Sequence, residues 1–283
     1  MSKLHSMDAK LQRRVQRYGW DLASHDYDCL WQEQLAPARN GMLELAALEP
    51  GHHVLDLACG TGLVTLAAGD IVGPGGSVLG TDLSGQMVEV ARQRADERQV
   101  SNVTFKRMDA EILKLPDASF DVVLCSLGLM YVPDARQAMR EWRRVLKPGG
   151  RVAIAVWGKR GNCGWSPVFP IVEAEVESDV CPLFFSLGEP DVLVRLCEDA
   201  GFRDVRQRRV ATALNYDDAE RACDAAFIGG PVALAWSRFD EEVRAEARER
   251  YKLAIEPWRS NQGYRIPGEF VIVAGTNPTA PGA

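Results

Sequence analysis

Strand-like and helix-like segments alternate between about residue 50 and residue 158, and this alternation limits the fold more than any other feature. The strand-like segments are short apolar runs: HHVLDLA, SVLGTD, VTFKRMD, FDVVLCSL and RVAIAVWG. Amphipathic stretches separate them, and Ser84, Asp134 and Asp240 stand where helix N-caps are expected. Parallel strands joined by right-handed helical crossovers bury both faces of a sheet. The sequence therefore predicts a doubly wound α/β fold.

Two further regions flank or interrupt this pattern. Residues 1–40 are predicted to form a helical arm, in which Leu11, Val15, Tyr18 and Leu22 recur at helical spacing. The arm is interpreted either as an element packed on the body or as a lid over a pocket. Residues 41–283 are predicted to form the main domain, with a helical insertion at about 212–265 and a last strand, FVIVAGT.

Composition limits the partners. The hydrophobic fraction of 46% and charged fraction of 25% are typical of a globular protein, and a net charge of −6 argues against a nucleic acid as the main partner. No apolar run approaches the roughly 18 residues that a membrane helix needs, and the first residues show no secretory signal. We therefore expect a cytoplasmic protein without membrane insertion; its oligomeric state, a homodimer included, stays open.

Cysteine and histidine positions limit the chemistry. The seven cysteines are widely spaced without a CxxC pair, so we expect reduced thiols and no metal site. All four histidines precede residue 54, which leaves His25 on the arm as the histidine available as a base.

The segment VLDLACGTGLVTL carries the strongest signal for ligand binding. An apolar strand ends at Asp56 and leads through Gly60 and Gly62 into a helix, so the backbone can approach a ligand closely. A dinucleotide fingerprint would have a third glycine where this chain has Thr65, and Asp56 would repel a pyrophosphate. The segment favours a ligand that presents an ammonium or another cationic group.

Further candidates follow the next strands. Asp82 ends the second strand, where a carboxylate can accept both hydroxyls of a ribose, and Met87 on the next helix can lie against an adenine. Asp109 and Ala110 end the third strand, and Cys125 lies in the fourth. The predicted cofactor-binding residues are Asp56, Ala58, Gly60, Gly62, Asp82, Leu83, Met87, Asp109, Ala110 and Cys125.

In these segments the chain resembles the class I S-adenosylmethionine-dependent methyltransferases, and most closely the ubiquinone/menaquinone-biosynthesis C-methyltransferases. The matching motifs are VLDLACGTG, TDLSGQMVEVAR, MDAE, FDVVLCSLGLMYVPD and RVLKPGGRVAIAVW. The resemblance implies a seven-stranded, mostly parallel sheet with an antiparallel last strand. It implies S-adenosylmethionine as cofactor and S-adenosylhomocysteine as product, with Asp56, Gly60 and Gly62 at the methionine part. It places Asp82 at the ribose, and Met87, Asp109 and Ala110 at the adenine.

The methyl acceptor is less defined. Tyr131 occupies a position that faces the acceptor in relatives, which often carry histidine there, and Tyr18 is expected to touch the cofactor or the acceptor. The predicted catalytic residues are therefore His25, Tyr131 and Tyr18. Aromatic residues such as Trp157, Trp165 and Phe184 favour a small aromatic or apolar acceptor, methylated at O, C or N.

Other readings stay open. An amine held by cation–π contacts fits the same rings, and a thiol or metalloid acceptor fits cysteines such as Cys163 and Cys181. A non-catalytic S-adenosylmethionine-binding regulatory protein and a nicotinamide-dependent oxidoreductase are the alternative functions.

Overall fold

A single mixed sheet forms the centre of the computed structural model, which describes residues 8–176 and 184–279. Five strands are parallel: β1 (His53–Leu57), β2 (Ser77–Asp82), β3 (Val103–Arg107), β4 (Phe120–Ser126) and β5 (Leu146–Trp157). The remaining strands are β6 (Arg203–Tyr216), the two-residue β7 (Arg259–Ser260) and β8 (Gly263–Thr276).

The strand order is β3-β2-β1-β4-β5-β8-β6, with β7 paired to β8. β8 is antiparallel to both β5 and β6, which confirms the predicted doubly wound, mostly parallel seven-stranded sheet with an antiparallel last strand. The order reverses between β1 and β4, and ligands of open α/β sheets bind at such a switch point.

Helices cover the sheet and add a layer over one end. Those following the parallel strands are α4 (Leu63–Val72), α5 (Gly85–Glu97), α6 (Ala135–Val145), α7 (Val168–Glu173) and α8 (Val192–Asp199). The N-terminal helices are α1 (Ala9–Ala23), α2 (Tyr27–Trp31) and α3 (Ala36–Ala46). Between β6 and β7 lie α9 (Ala219–Phe227), α10 (Ala233–Trp236) and α11 (Glu241–Ile255).

Local sequence explains several boundaries. The predicted N-caps are confirmed, because the side chains of Ser84, Asp134 and Asp240 accept hydrogen bonds from the backbone N–H groups three residues later. The central strands are buried on both faces, so β4 reads as a continuous apolar run rather than an alternating one. Along residues 8–176 and 184–279, every helix is too short or too polar to cross a lipid bilayer.

The orientation of α1 differs from what its apolar spacing suggests. Leu11, Tyr18 and Leu22 are each close to half exposed, whereas the buried face carries small or polar residues such as Gly19 and Ala23. Gly19 faces α10, since a Cβ built there would make ordinary van der Waals contact with Leu234 Cβ at 3.6 Å. The apolar stripe therefore does not mark the face that contacts the body.

Candidate active site

A cleft of about 760 Å³, including the space at its mouth, opens at the carboxyl ends of β1, β2, β3 and β4. One wall comes from the arm, through Arg13, Gln16, Trp20 and Tyr27. The sequence-predicted residues that line it are Ala58, Gly60, Asp82, Leu83, Met87, Asp109, Ala110 and Tyr131. The fold thus brings residues from four strand ends, far apart in sequence, to one crevice.

The loop after β1 has the backbone conformation that its small residues permit. Ala58, Gly60 and Gly62 all have positive φ, of 52°, 53° and 84°. A Cβ on Gly62 would also lie 3.1 Å from Ala91 and Phe105, so a glycine is needed there for packing at the start of α4. Gly62 therefore shapes the loop and does not itself line the cleft.

Asp82 joins this loop to the end of β2. Its Oδ2 accepts from the Gly60 N–H at 2.9 Å and its Oδ1 from the Ser84 N–H at 2.8 Å. Burial raises the Asp82 pKa to about 6, although these two backbone N–H groups lower it. Each carboxylate oxygen has a second lone pair, so Asp82 can still accept from ligand hydroxyls.

Asp56 lines a second cavity of about 460 Å³, which shares Tyr27, Ala58, Gly60 and Leu127 with the cleft. Thr65 Oγ1 donates to Asp56 Oδ2 at 2.6 Å, while the buried Oδ1 has no hydrogen-bond partner among the described residues. Burial, followed by the Asp82 charge, raises the Asp56 pKa to about 7. An unpaired buried acceptor of this kind fits a cationic donor from a ligand. Arg39 lines the same cavity, so both charge signs are present.

The third cavity, of about 310 Å³ including the open space at its mouth, is an aromatic chamber beneath the arm. Its rings are those of Trp20, Tyr27, Trp31, Tyr131, Trp157, Trp165 and Phe184. The described side chains that line it include no charged group. Tyr27 and Leu127 line all three cavities, so the spaces converge at these two residues.

Tyr27 is a site residue that the sequence reasoning missed. Burial raises its pKa well above the ordinary tyrosine range, so its hydroxyl stays protonated and can donate a hydrogen bond. The sequence shows it only as one of several aromatic residues on the arm. Its contact with the sheet edge arises from the fold of the arm, which no local pattern reports.

Three contacts hold the arm over the loops that follow β1, β2 and β3. Asp28 accepts from Thr61 Oγ1 at 2.6 Å and pairs with Arg94. Asp21 Oδ1 accepts from Ser84 Oγ at 2.5 Å.

The third contact is made by Arg13. It pairs with Asp109 at 3.0 Å and with the buried Glu111 at 2.6 Å. The loops after β1, β2 and β3 are therefore each bonded to the arm that covers the cleft.

Some predicted site residues lie elsewhere. Tyr18 stands two positions after Gln16, roughly 200° around the helix from the wall of the cleft, and stacks under the Arg17 guanidinium. His25 is exposed in the turn between α1 and α2. Neither residue is among those that line the three cavities.

Two cysteines limit alternative chemistry. Cys125 is fully buried behind the cleft, where burial raises its thiol pKa to about 12. Cys163 is also buried, with a pKa raised to about 12 for the same reason, and Cys181 lies outside the described residues. Within the described ranges, no three His, Cys, Asp or Glu side chains are grouped to hold a metal ion.

Comparison with known proteins agrees with this geometry. Residues 55–154 match the family described as "Methyltransferase domain". Together with the sheet topology, this match makes residues 55–154 similar to the class I S-adenosylmethionine-dependent methyltransferases. Within that class, the domain resembles the ubiquinone/menaquinone biosynthesis C-methyltransferase UbiE of Ectopseudomonas mendocina, at 44% identity over 121 residues.

The similarity covers part of each protein. The match to the Ectopseudomonas enzyme spans 42% of this chain and 47% of that enzyme. The demethylmenaquinone methyltransferase of Listeria welshimeri is 38% identical over 131 residues, which is 46% of this chain and 56% of the relative. The aligned region thus spans about half the length of these curated relatives.

A solved structure extends the likeness in fold. It is a phosphoethanolamine N-methyltransferase 2 of Haemonchus contortus, in complex with phosphomonomethylethanolamine and S-adenosylhomocysteine. The TM-score is 0.61 at 18% identity, over 96% of this chain and 61% of that one. This similarity concerns the fold alone.

Proposed function

We propose that this protein transfers the methyl group of S-adenosylmethionine to a small, neutral, aromatic or apolar acceptor held in the aromatic chamber. The observation that carries the proposal is that three spaces converge at Tyr27 and Leu127: the cleft, the cavity lined by Asp56 and Arg39, and the aromatic chamber. A methyl donor and an acceptor must meet at one point, and each has a separate space here that reaches that point.

The residues around the cleft fit the parts of the donor. Asp82 suits the ribose hydroxyls, and the buried Met87 with Asp109 and Ala110 suits the adenine. The unpaired Asp56 Oδ1 and Arg39, which share one cavity, suit the ammonium and carboxylate of an amino acid. When bound, S-adenosylmethionine supplies an electrophilic methyl group on its sulfonium.

The protein's own contribution is positioning and exclusion of water. The chamber rings leave a site without charged groups among the described side chains, where an acceptor is desolvated and held in place. Tyr27 can donate a hydrogen bond to the acceptor. Its raised pKa keeps the hydroxyl protonated, so the residue is not available as a base. We therefore infer that the acceptor atom is nucleophilic at working pH without a histidine base.

Calorimetry with S-adenosylhomocysteine tests the donor site. We expect the wild type to bind it and Asp82→Ala to lose binding, because the ribose loses its carboxylate. Asp199→Ala is the matched control, since Asp199 is exposed and pairs with Arg136 away from the cleft. Normal binding by Asp82→Ala would reject the assignment of Asp82.

Turnover tests the acceptor class. Isotope-labelled S-adenosylmethionine should label neutral phenols and other ring compounds in preference to charged amines and thiols. A protein that binds S-adenosylhomocysteine but labels nothing across such a panel would be a binding protein instead.

A further inference from the structure

Trp165 combines deep burial with an unsatisfied hydrogen-bond donor. The residue is 2% exposed and lines the aromatic chamber. Its indole Nε1–H has no hydrogen-bond partner among the residues that the structure describes. A buried donor without a partner loses its hydration on folding and gains nothing in return.

Another indole of the same chamber behaves differently. Trp31 Nε1 donates to the carbonyl of Ala225 at 3.1 Å. Outside the chamber, the buried Trp142 Nε1 donates to the carbonyl of Ala110 at 2.9 Å. These two buried indoles each donate to a backbone carbonyl, whereas that of Trp165 has no such partner among the described residues.

Ring contacts surround Trp165. The ring centroids of Trp157 and Phe184 lie 4.8 and 5.5 Å from its own, and both residues also line the chamber. Aromatic faces accept hydrogen bonds only weakly. A ligand oxygen inside the chamber would satisfy the indole N–H far better.

We propose that Trp165 determines acceptor specificity by donating its indole N–H to an oxygen of the methyl acceptor. The inference rests on the proposed function, because it assigns the acceptor to the aromatic chamber. It narrows the acceptor to a planar, uncharged ring compound that carries a carbonyl or ring-attached oxygen. Tyr27 lies where the three cavities converge, whereas Trp165 lines only the chamber. A hydrogen bond to Trp165 therefore also fixes how far the acceptor ring lies from the point of convergence.

A matched pair of probes tests this assignment. 1-Indanone and indane have the same fused-ring skeleton, but only the ketone can accept a hydrogen bond. Calorimetric titrations use the full chain saturated with S-adenosylhomocysteine. We expect the wild type to prefer 1-indanone by about three- to tenfold, which is the range for one net hydrogen bond.

Two variants separate the hydrogen bond from ring packing. Trp165→Phe keeps an aromatic ring without the N–H, so the preference should fall below about twofold while S-adenosylhomocysteine binding stays normal. Trp236→Phe is the control, because Trp236 is buried but lines none of the three cavities, and the preference for 1-indanone should persist.

The outcomes are distinct. Equal affinity of the wild type for both probes, no binding of 1-indanone at millimolar concentration, or an unchanged preference in Trp165→Phe would each overturn the role of Trp165. If S-adenosylhomocysteine still binds in those cases, the proposed donor site stands. A wild type that does not bind S-adenosylhomocysteine would overturn the proposed function itself.

Discussion

Replacing Asp56 with asparagine removes a buried carboxyl that titrates near neutral pH. Burial raises its pKa to about 7, and one of its oxygens has no partner among the described residues. If this oxygen receives the ammonium of S-adenosylhomocysteine, the ligand binds the ionised form more tightly. Affinity should therefore increase as pH rises through about 7.

The size of the effect follows from the fraction ionised. With a pKa of about 7, roughly a quarter of Asp56 is ionised at pH 6.5 and roughly nine-tenths at pH 8.0. The affinity should thus rise about fourfold over that interval. Asp82, with a pKa of about 6, is already about three-quarters ionised at pH 6.5 and adds less than about 1.4-fold.

Isothermal titration calorimetry of S-adenosylhomocysteine at both pH values measures this difference. Asp56→Asn should bind about tenfold more weakly at pH 8.0, since a charge-assisted hydrogen bond is lost. The affinity of this variant should also depend little on pH. Comparing the wild type with the variant removes any contribution from titration of the ligand itself. A fourfold pH effect that persists in Asp56→Asn would refute the assignment of the ammonium to Asp56.

Three further outcomes are expected. Tyr27→Phe should lower the rate of single-turnover methyl transfer by about tenfold, while the affinity for S-adenosylhomocysteine stays within about twofold. The reason is that the ring of this residue, which lines all three cavities, remains while its hydroxyl is lost. An unaltered rate would exclude a role for that hydroxyl. Arg13→Ala should lower the free energy of unfolding in urea by ~1–2 kcal/mol, since the buried Glu111 loses its cationic partner, and the exposed Lys10→Ala should change it little. The free energy of unfolding of the ligand-free wild type, relative to Asp56→Asn, should fall as pH rises from about 4 to about 7, because the folded state favours the protonated Asp56 carboxyl; a relative stability that rises over this range would contradict the raised pKa.

Much of the sheet could be predicted because its signals are local. Strand β2 was expected at SVLGTD and is observed at Ser77–Asp82, and the N-caps at Ser84, Asp134 and Asp240 depend on residues three positions apart. Strand β8 was expected at FVIVAGT and runs longer, over Gly263–Thr276, because it pairs with β6 beyond the central sheet. Neither segment alone contains a sequence signal for pairing with a strand on the other side of the intervening helices.

The acidic residues at the strand ends were also predictable in part. Asp82 and Asp109 line the cleft, since the carboxyl ends of parallel strands meet at one edge. Tyr18 and His25, predicted from the arm, do not line the three cavities. Helical periodicity states which residues share a face, but not which face the body covers.

Local residue order therefore determined the parallel α/β sheet, its helix caps and the edge at which a nucleoside-type ligand is expected. Packing between distant segments decided that Tyr27 lies where three cavities converge and that the Trp165 N–H finds no partner within residues 8–176 and 184–279. Backbone hydrogen bonds and caps act over a few residues, and a short stretch of chain specifies them. Cavities and unsatisfied groups exist only after separate elements exclude water together, so they cannot be read from any one of those elements.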